Sequence, residues 1–131
     1  MLKKDKIRVL LVDDNASVRE EVKAVLDDTP DVKVVAEADN GEEALRRMRA
    51  NALDVVVLDL SMPGMSGSEV LRRVVFEKLK PPVVIFSSYP KEQYATALKK
   101  RGAMGYVTKG TSPDELVSEI RRAASESGIS S

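Results

Sequence analysis

Five short apolar runs are spaced evenly along the chain, separated by segments that mix polar and apolar residues. The runs are rich in valine, isoleucine and leucine, and the first four lack the alternation of a half-exposed strand. They are Ile7–Val12, Val32–Ala36, Val55–Leu58, Val83–Phe86 and Gly105–Val107. Continuous apolar runs of this length are typical of strands that are covered by helices on both faces.

The intervening segments begin with residues that favour helix starts. Side chains that cap helix N-termini precede four of them, and three of these caps have a glutamate three residues later, as in a reciprocal capping pair. The caps are Asn15, Asn40, Ser66 and Ser112, and the glutamates are Glu43, Glu69 and Glu115. A helix over Lys91–Arg101 is predicted to end at Gly102, and Pro113 suits the first turn of the last helix. Strand and helix therefore alternate five times, which predicts a parallel sheet with helices on both faces.

Reactive side chains follow four of the five predicted strands. Asp13 and Asp14 follow the first strand, Asp59 the third, Ser87 the fourth and Lys109 the fifth. Ligands of open parallel sheets bind at the carboxyl ends of the strands. If strands one, three, four and five are neighbours, these side chains meet at one edge. Taken singly, each has an ordinary reading as a turn former, a helix cap or a surface group, so the hypothesis rests on the combination.

The composition of the chain excludes several kinds of site and classes of protein. The chain has 131 residues, the size of one domain, and 21 basic residues balance 21 acidic ones, so the charge excess of a nonspecific nucleic-acid binder is missing. Cysteine and histidine are absent, which excludes disulfides, thiolate or imidazole metal ligands, Ser-His-Asp triads and a phosphohistidine on this chain. The apolar runs are too short to span a membrane, and a cytoplasmic location is expected.

Three carboxylates held close together repel one another, so either their pKa values rise or a cation neutralises them. With only oxygen ligands on offer, Mg²⁺ (or Mn²⁺) is the expected ion. A lysine nearby supplies a point charge for a phosphoryl oxygen, and a carboxylate can act as a nucleophile that forms an acyl phosphate. The cluster therefore predicts phosphoryl transfer onto an aspartate.

With these residues in place, the sequence resembles the receiver domain of two-component response regulators from Ile7 to about Ala124. Residues 9–15 resemble the acidic pair of that family, residues 55–67 its phosphoacceptor strand and loop, and residues 102–109 its fifth-strand motif. The resemblance implies a flavodoxin-like, doubly wound (βα)5 fold with strand order 2-1-3-4-5. It also implies a receiver domain over residues 1–124 and a tail or linker stub over residues 125–131.

The resemblance also implies a role for each site residue. Asp59 is expected to be the phosphoacceptor, assisted by Lys109 and Ser87. The metal ligands are expected to be Asp13, Asp14, Asp59 and the backbone carbonyl of Ser61. Ser87 and Tyr106 are the expected switch pair, in which Tyr106 rotates inward after phosphorylation and alters the surface formed by the fourth helix, fifth strand and fifth helix. Ser61 and Tyr89 occupy the family's positions that tune dephosphorylation.

Gly110 follows Lys109 where the family often has proline. Together with Glu92, Gln93 and Tyr94, this variation is similar to receivers of NarL/LuxR-type transcription regulators. The resemblance implies a sensor histidine kinase as partner, a possible homodimer on phosphorylation, and DNA contact only through an output domain outside this chain. The chain is then a phosphoacceptor signalling domain rather than an enzyme, either stand-alone or part of a longer regulator.

Three alternatives stay open. One is a pseudo-receiver, a protein-interaction module that takes no phosphate. Another is an aspartate-nucleophile phosphohydrolase, although such enzymes need a second aspartate two residues after the nucleophile, where this chain has Ser61. The third is a nucleotide or flavin binder, although the first strand lacks the glycine-rich turn that holds a pyrophosphate.

Overall fold

A computed structural model describes residues 6–126 and contains five parallel strands that alternate with five helices. The strands are β1 (Ile7–Val12), β2 (Val32–Ala38), β3 (Val55–Leu58), β4 (Val83–Ser87) and β5 (Gly105–Thr108). The helices are α1 (Ala16–Asp27), α2 (Gly41–Ala50), α3 (Gly67–Glu77), α4 (Lys91–Lys100) and α5 (Pro113–Glu126). No helix within residues 6–126 has the length and apolar character needed to cross a lipid bilayer.

The strands form one sheet in the order β2-β1-β3-β4-β5, with every neighbouring pair parallel. This order confirms the predicted doubly wound fold and makes β1, β3, β4 and β5 neighbours. The strand order reverses at β1, and side chains that follow the strands on either side of such a switch point face a common crevice.

Alternate residues of the strands enter two separate apolar cores. Leu10 and Val56 pack under α2, α3 and α4, whereas Val9 and Val57 pack under α1 and α5. All four side chains are fully buried. The strands are therefore apolar on both faces, as the runs without alternation predicted.

Side-chain caps fix the starts of the first three helices. The amide of Val18 donates to the side chain of Asn15, and corresponding bonds of 2.8 Å and 3.2 Å form at Asn40 and Ser66. The reciprocal part of the three predicted capping pairs is wrong, because each glutamate carboxylate contacts a basic side chain instead. Glu43 and Glu69 bind arginines of their own helices. The Glu115 carboxylate lies 3.1 Å from Lys91 Nζ and connects the first turns of α5 and α4. The opposite charge of Lys91, at the start of α4, attracts this carboxylate.

The C-terminal helix extends further than the predicted domain boundary. α5 continues to Glu126, so Ser125 and Glu126, which were predicted to begin the tail, are helical. The remaining predicted tail, residues 127–131, lies outside the described residues, as do residues 1–5.

Gly67 allows the loop after β3 to fold back against the strand end. The Gly67 amide donates to the Leu60 carbonyl at 2.9 Å. A Cβ atom at Gly67 would lie 2.2 Å from the carbonyl oxygen of Asp59 and 2.7 Å from the Cα of Leu60. Both are backbone atoms, which cannot move aside as a flexible side chain can. Glycine is therefore required for the backbone geometry around Asp59.

We expect Gly67→Ala to lower the free energy of unfolding by about 2 kcal/mol or more, because the new methyl group overlaps backbone atoms. Denaturant unfolding measures this change. Ser68→Ala, at the exposed next position of α3, is the control and should change stability by less than about 0.5 kcal/mol. Equal stability of the two variants would contradict the close approach at Gly67.

Candidate functional site

Three aspartates converge at the carboxyl edge of the sheet. Asp13 and Asp14 follow β1, Asp59 follows β3, and one carboxylate oxygen from each lies within 4.8 Å of the others. The Asp59 amide donates to the Val12 carbonyl at 3.0 Å, which fixes the end of β3 against the end of β1. Asp13 and Asp59 are only 2% and 4% exposed, whereas Asp14 faces solvent. The predicted acidic cluster is therefore assembled by the pairing of the two strands.

Lys109 enters this cluster from the far side of the sheet. Its Nζ lies 2.7 Å from Asp13 Oδ2 and 3.5 Å from Asp59 Oδ1. The Lys109 amide donates to the Ser87 carbonyl at 2.7 Å, and Nζ lies 5.7 Å from the centroid of the Phe86 ring. The end of β4 thus positions the lysine, whose positive charge lies against both buried carboxylates.

Backbone amides donate further hydrogen bonds to the oxygens of Asp13 and Asp59. The Asn15 amide donates to Asp13 Oδ1 at 2.9 Å, and the Ser61 amide donates to Asp59 Oδ1 at 3.3 Å. Both oxygens of Asp13 therefore accept hydrogen bonds, whereas the contacts of Asp59 concentrate on Oδ1. No fully buried side-chain oxygen or nitrogen within residues 6–126 lacks a partner, so Asp59 Oδ2 is reached by solvent.

The electrostatics of Asp59 reflect these neighbours. Burial raises the pKa of the Asp59 carboxyl above its ordinary value, and the charge of Asp13 raises it further. The Lys109 charge and the Ser61 amide act in the opposite direction. One lysine does not neutralise three carboxylates, and the donors are all oxygen atoms. This donor set fits a hard divalent cation.

Ser87 and Tyr106 lie beside the cluster and meet at Tyr89. Ser87 is fully buried, and its Oγ accepts a hydrogen bond of 3.1 Å from the Tyr89 amide. The Tyr106 hydroxyl donates to the Tyr89 carbonyl at 2.7 Å. Burial raises the pKa of the Tyr106 hydroxyl, while the nearby Ser87 hydroxyl opposes the rise.

Tyr106 was expected to rotate inward only after phosphorylation, but it is already buried in the structure. Its side chain already lies inside, only 3% exposed, in the core under α2, α3 and α4. The Tyr89 carbonyl satisfies the buried hydroxyl, which removes the cost of burying a phenol. Tyr106 therefore forms no part of the exposed surface, whereas Tyr94 and Lys99 of α4 are exposed.

The two predicted tuning residues contact each other. Ser61 Oγ and the Tyr89 hydroxyl lie 3.2 Å apart, and the Tyr89 ring lies 5.3 Å from the ring of Tyr94, centroid to centroid. No local sequence pattern indicates this contact, because the two residues are far apart in the chain and belong to different loops.

Sequence reasoning also missed two supporting residues. The Thr108 hydroxyl accepts a hydrogen bond of 3.2 Å from the Lys91 amide, the first residue of α4. It acts as a cap because Pro90, the residue before the helix, makes no side-chain capping bond. The guanidinium of Arg19 donates to the Asp13 carbonyl and also contacts Glu37. Thr108 could have been identified from its place at the end of β5, whereas Arg19 resembles any arginine in an amphipathic helix.

Comparison with known proteins gives consistent matches. A family model described as the response regulator receiver domain matches residues 9–121. The response regulator UvrY of Escherichia coli O6:H1 is 40% identical over 115 residues, which cover 88% of this chain and 53% of that protein. The nitrate/nitrite response regulator protein NarL of Escherichia coli K12 is 40% identical over 117 residues, covering 88% and 54% respectively. The chain thus spans about half the length of these relatives.

Solved structures share both fold and sequence with the chain. A two-component response regulator of the LuxR family from Aurantimonas sp. SI85-9A1 superposes with a TM-score of 0.87 at 35% identity, covering 93% of this chain and 87% of that one. The response regulator domain of Thermotoga maritima CheB gives 0.83 at 34% identity, covering 92% and 97%.

The raised pKa of Asp59 predicts how Asp59→Asn changes stability with pH. Because the folded state holds the Asp59 proton more tightly than the unfolded state, its contribution to stability is full at low pH and is lost as pH rises through the raised pKa. Asparagine stays neutral. We therefore expect Asp59→Asn to gain stability relative to the unchanged protein as pH rises from about 4, reaching about 1 kcal/mol at neutral pH.

Denaturant unfolding without divalent cations, at several pH values, measures this difference. Asp27→Asn removes a carboxyl from the exposed face of α1 and controls for the loss of one negative charge. A stability advantage of Asp59→Asn that shrinks as pH rises would contradict the electrostatic account of the site.

Proposed function

The chain belongs to the response regulator receiver domain family and is similar to its NarL/LuxR-type members, and from this premise we propose that Asp59 is its phosphoacceptor. A sensor histidine kinase would supply the phosphoryl group as phosphohistidine, since this chain has no histidine. The domain is a signalling domain rather than a conventional enzyme. Its own contribution is to position the acceptor and to stabilise the charge on the transferring group.

One observation carries the choice of acceptor. Asp13 has both oxygens bonded, by the Asn15 amide and by Lys109, whereas Asp59 Oδ2 is reached by solvent. This oxygen would attack phosphorus in line, forming the new P–O bond while the P–N bond to the kinase imidazole breaks. The electron pair of the P–N bond stays on the imidazole, which leaves neutral once protonated.

The acidic residues fit a magnesium site. We propose that Asp13, Asp14, Asp59 and the Ser61 backbone carbonyl hold Mg²⁺, or Mn²⁺ in its place. When bound, the ion supplies Lewis-acid stabilisation of the negative charge on the phosphoryl oxygens. The 3.3 Å bond between the Ser61 amide and Asp59 supports the assignment of Ser61, because it holds that backbone segment beside the acceptor.

Lys109 is proposed to exchange one partner for another. In the structure its ammonium group lies closer to Asp13 than to Asp59, at 2.7 Å against 3.5 Å. A phosphoryl group on Asp59 presents additional anionic oxygens near Nζ. The lysine would then stabilise charge that develops during the transfer, which is where fixed charges contribute most to rate.

Ser87 is proposed to transmit the modification to Tyr89 and Tyr106. Its buried hydroxyl would donate to a phosphoryl oxygen and, by rotating, weaken the bond that it accepts from the Tyr89 amide. Tyr89 also accepts the Tyr106 hydroxyl, so movement of its backbone changes how Tyr106 is held. The altered surface would be that of α4, β5 and α5, by shifting the balance between two conformations.

Partners and output are proposed from the relatives. A cytoplasmic receiver of this type would meet a sensor kinase, could form a homodimer when phosphorylated, and would control transcription through a DNA-binding domain outside this chain. A pseudo-receiver that binds partners without phosphorylation is the alternative. The bonded geometry of Asp13, Asp59 and Lys109 favours the phosphorylated form, because an interaction module has no need to bury two carboxylates beside a lysine.

Incubation with acetyl phosphate and Mg²⁺ is expected to add a single phosphoryl group to the protein, detected by intact-mass spectrometry. The same adduct should be absent from Asp59→Asn and absent when Mg²⁺ is chelated, because both the nucleophile and the counter-charge are required. An adduct of equal yield on Asp59→Asn would identify a different acceptor. No adduct on the unchanged protein would favour the pseudo-receiver.

Replacing the lysine should slow the reaction more than it weakens the fold. We expect Lys109→Ala to form the adduct at least about tenfold more slowly, because charge on the transferring group loses its ammonium partner. The time course of adduct formation and denaturant unfolding measure the two effects. Lys100→Ala, on the exposed end of α4, should leave the rate unchanged. A Lys109→Ala rate equal to that of Lys100→Ala would remove the lysine from the mechanism.

A further inference from the structure

The contact between Ser61 and Tyr89 lies beside the acceptor carboxylate. The Ser61 amide donates to Asp59 Oδ1, and its hydroxyl lies 3.2 Å from the Tyr89 hydroxyl. The Tyr89 side chain is therefore linked through a single residue to the carboxylate. A water molecule that approaches an acyl phosphate on Asp59 from this side would pass this pair.

Within residues 6–126, the Tyr89 ring packs against one other aromatic ring, that of Tyr94. It is 43% exposed, and its ring lies against Tyr94 of α4 at a centroid distance of 5.3 Å and a tilt of 41°. Tilted aromatic pairs at this separation are mutually stabilising. Without this neighbour, the hydroxyl contact with Ser61 would depend on one exposed hydrogen bond, which contributes little by itself.

Open space lies behind the pair. A groove of about 750 Å³ runs between the loop after β3 and helix α4, and it is lined in part by Leu60, Met62, Tyr89, Tyr94 and Leu98. The Tyr89 ring could turn into this groove if nothing held it in place. The Tyr94 ring packs against Tyr89 at the edge of this groove and so favours the observed position.

We propose that Tyr94 is a positioning residue, which holds Tyr89 against Ser61 and thereby sets the lifetime of the acyl phosphate on Asp59. The inference rests on the proposed function and deepens it, because it connects the exposed face of α4 to the rate of hydrolysis. Tyr94 contacts neither the carboxylates nor Lys109 and acts through Tyr89 alone. A partner that displaced Tyr94 from Tyr89 would therefore shorten the phosphorylated state.

The test follows the decay of the phosphoryl adduct by intact mass after acetyl phosphate is removed. We expect Tyr94→Ala to shorten the half-life about 2- to 10-fold, the range expected for loss of one hydrogen bond. Tyr94→Phe keeps the ring and should restore the half-life of the unchanged protein. Phe76→Ala removes an aromatic ring that is 79% exposed on α3 and should have no effect.

A double-mutant cycle separates positioning from general loosening of the fold. Tyr89→Phe removes the hydroxyl that contacts Ser61 and should shorten the half-life to a similar degree as Tyr94→Ala. In the Tyr89→Phe background, Tyr94→Ala should add nothing. Before phosphorylation, Tyr94→Ala should also shift the ring proton resonances of Tyr89 in NMR spectra, with the free energy of unfolding changed by less than about 1 kcal/mol.

The outcomes distinguish this inference from the function on which it rests. Absence of any adduct on the unchanged protein would overturn both. An adduct that forms normally but decays at the same rate in Tyr94→Ala would overturn the role of Tyr94 alone. Additive effects of Tyr89→Phe and Tyr94→Ala would also overturn it, because they would show that Tyr94 acts by a route other than Tyr89.

Discussion

The ion pairs that Lys109 forms with Asp13 and Asp59 are the interaction on which the site depends. Two carboxylates that are almost inaccessible to solvent stand at the ends of adjacent strands, where burial and then repulsion from Asp13 raise the pKa of Asp59. The lysine follows β5, at the opposite edge of the sheet from β2, and lies against both carboxylates. Burial without this charge would be costly. The strand order that makes the pairing possible is therefore as important to the site as the residues themselves.

The same constraint explains why the site is poised for a cation and a phosphoryl group. One positive charge leaves the three-carboxylate cluster with excess negative charge, and only oxygen donors are available to a metal. A divalent cation would neutralise this excess negative charge. A phosphoryl group on Asp59 would then be an anionic partner for both the metal ion and the Lys109 ammonium group. The charge arrangement at Asp59 thus lowers the stability of the fold while it favours binding of a cation and a phosphoryl group, a trade-off common at functional sites.

Much of this architecture could be predicted from the sequence because it depends on short-range patterns. Apolar runs without alternation identified the buried strands, and the caps Asn15, Asn40 and Ser66 identified helix starts through local hydrogen bonds. Placement of Asp13, Asp59 and Lys109 after strands was enough to bring them to one edge once the strand order was known. The resemblance to a receiver domain supplied that order.

The remaining features depend on side-chain choices between partners that are distant in the sequence. Tyr106 lies inside because a backbone carbonyl of Tyr89 accepts a hydrogen bond from its hydroxyl. Glu115 reaches Lys91 because the first turns of α4 and α5 both lie at the carboxyl edge of the sheet. Neither contact can be predicted from a local sequence pattern.

A crystal structure with Mg²⁺ and beryllium fluoride tests the central claim most directly. We predict that beryllium fluoride binds Asp59 and contacts Lys109 Nζ and Ser87 Oγ. Beryllium fluoride bound at another residue, or not bound at all, would contradict the proposed site.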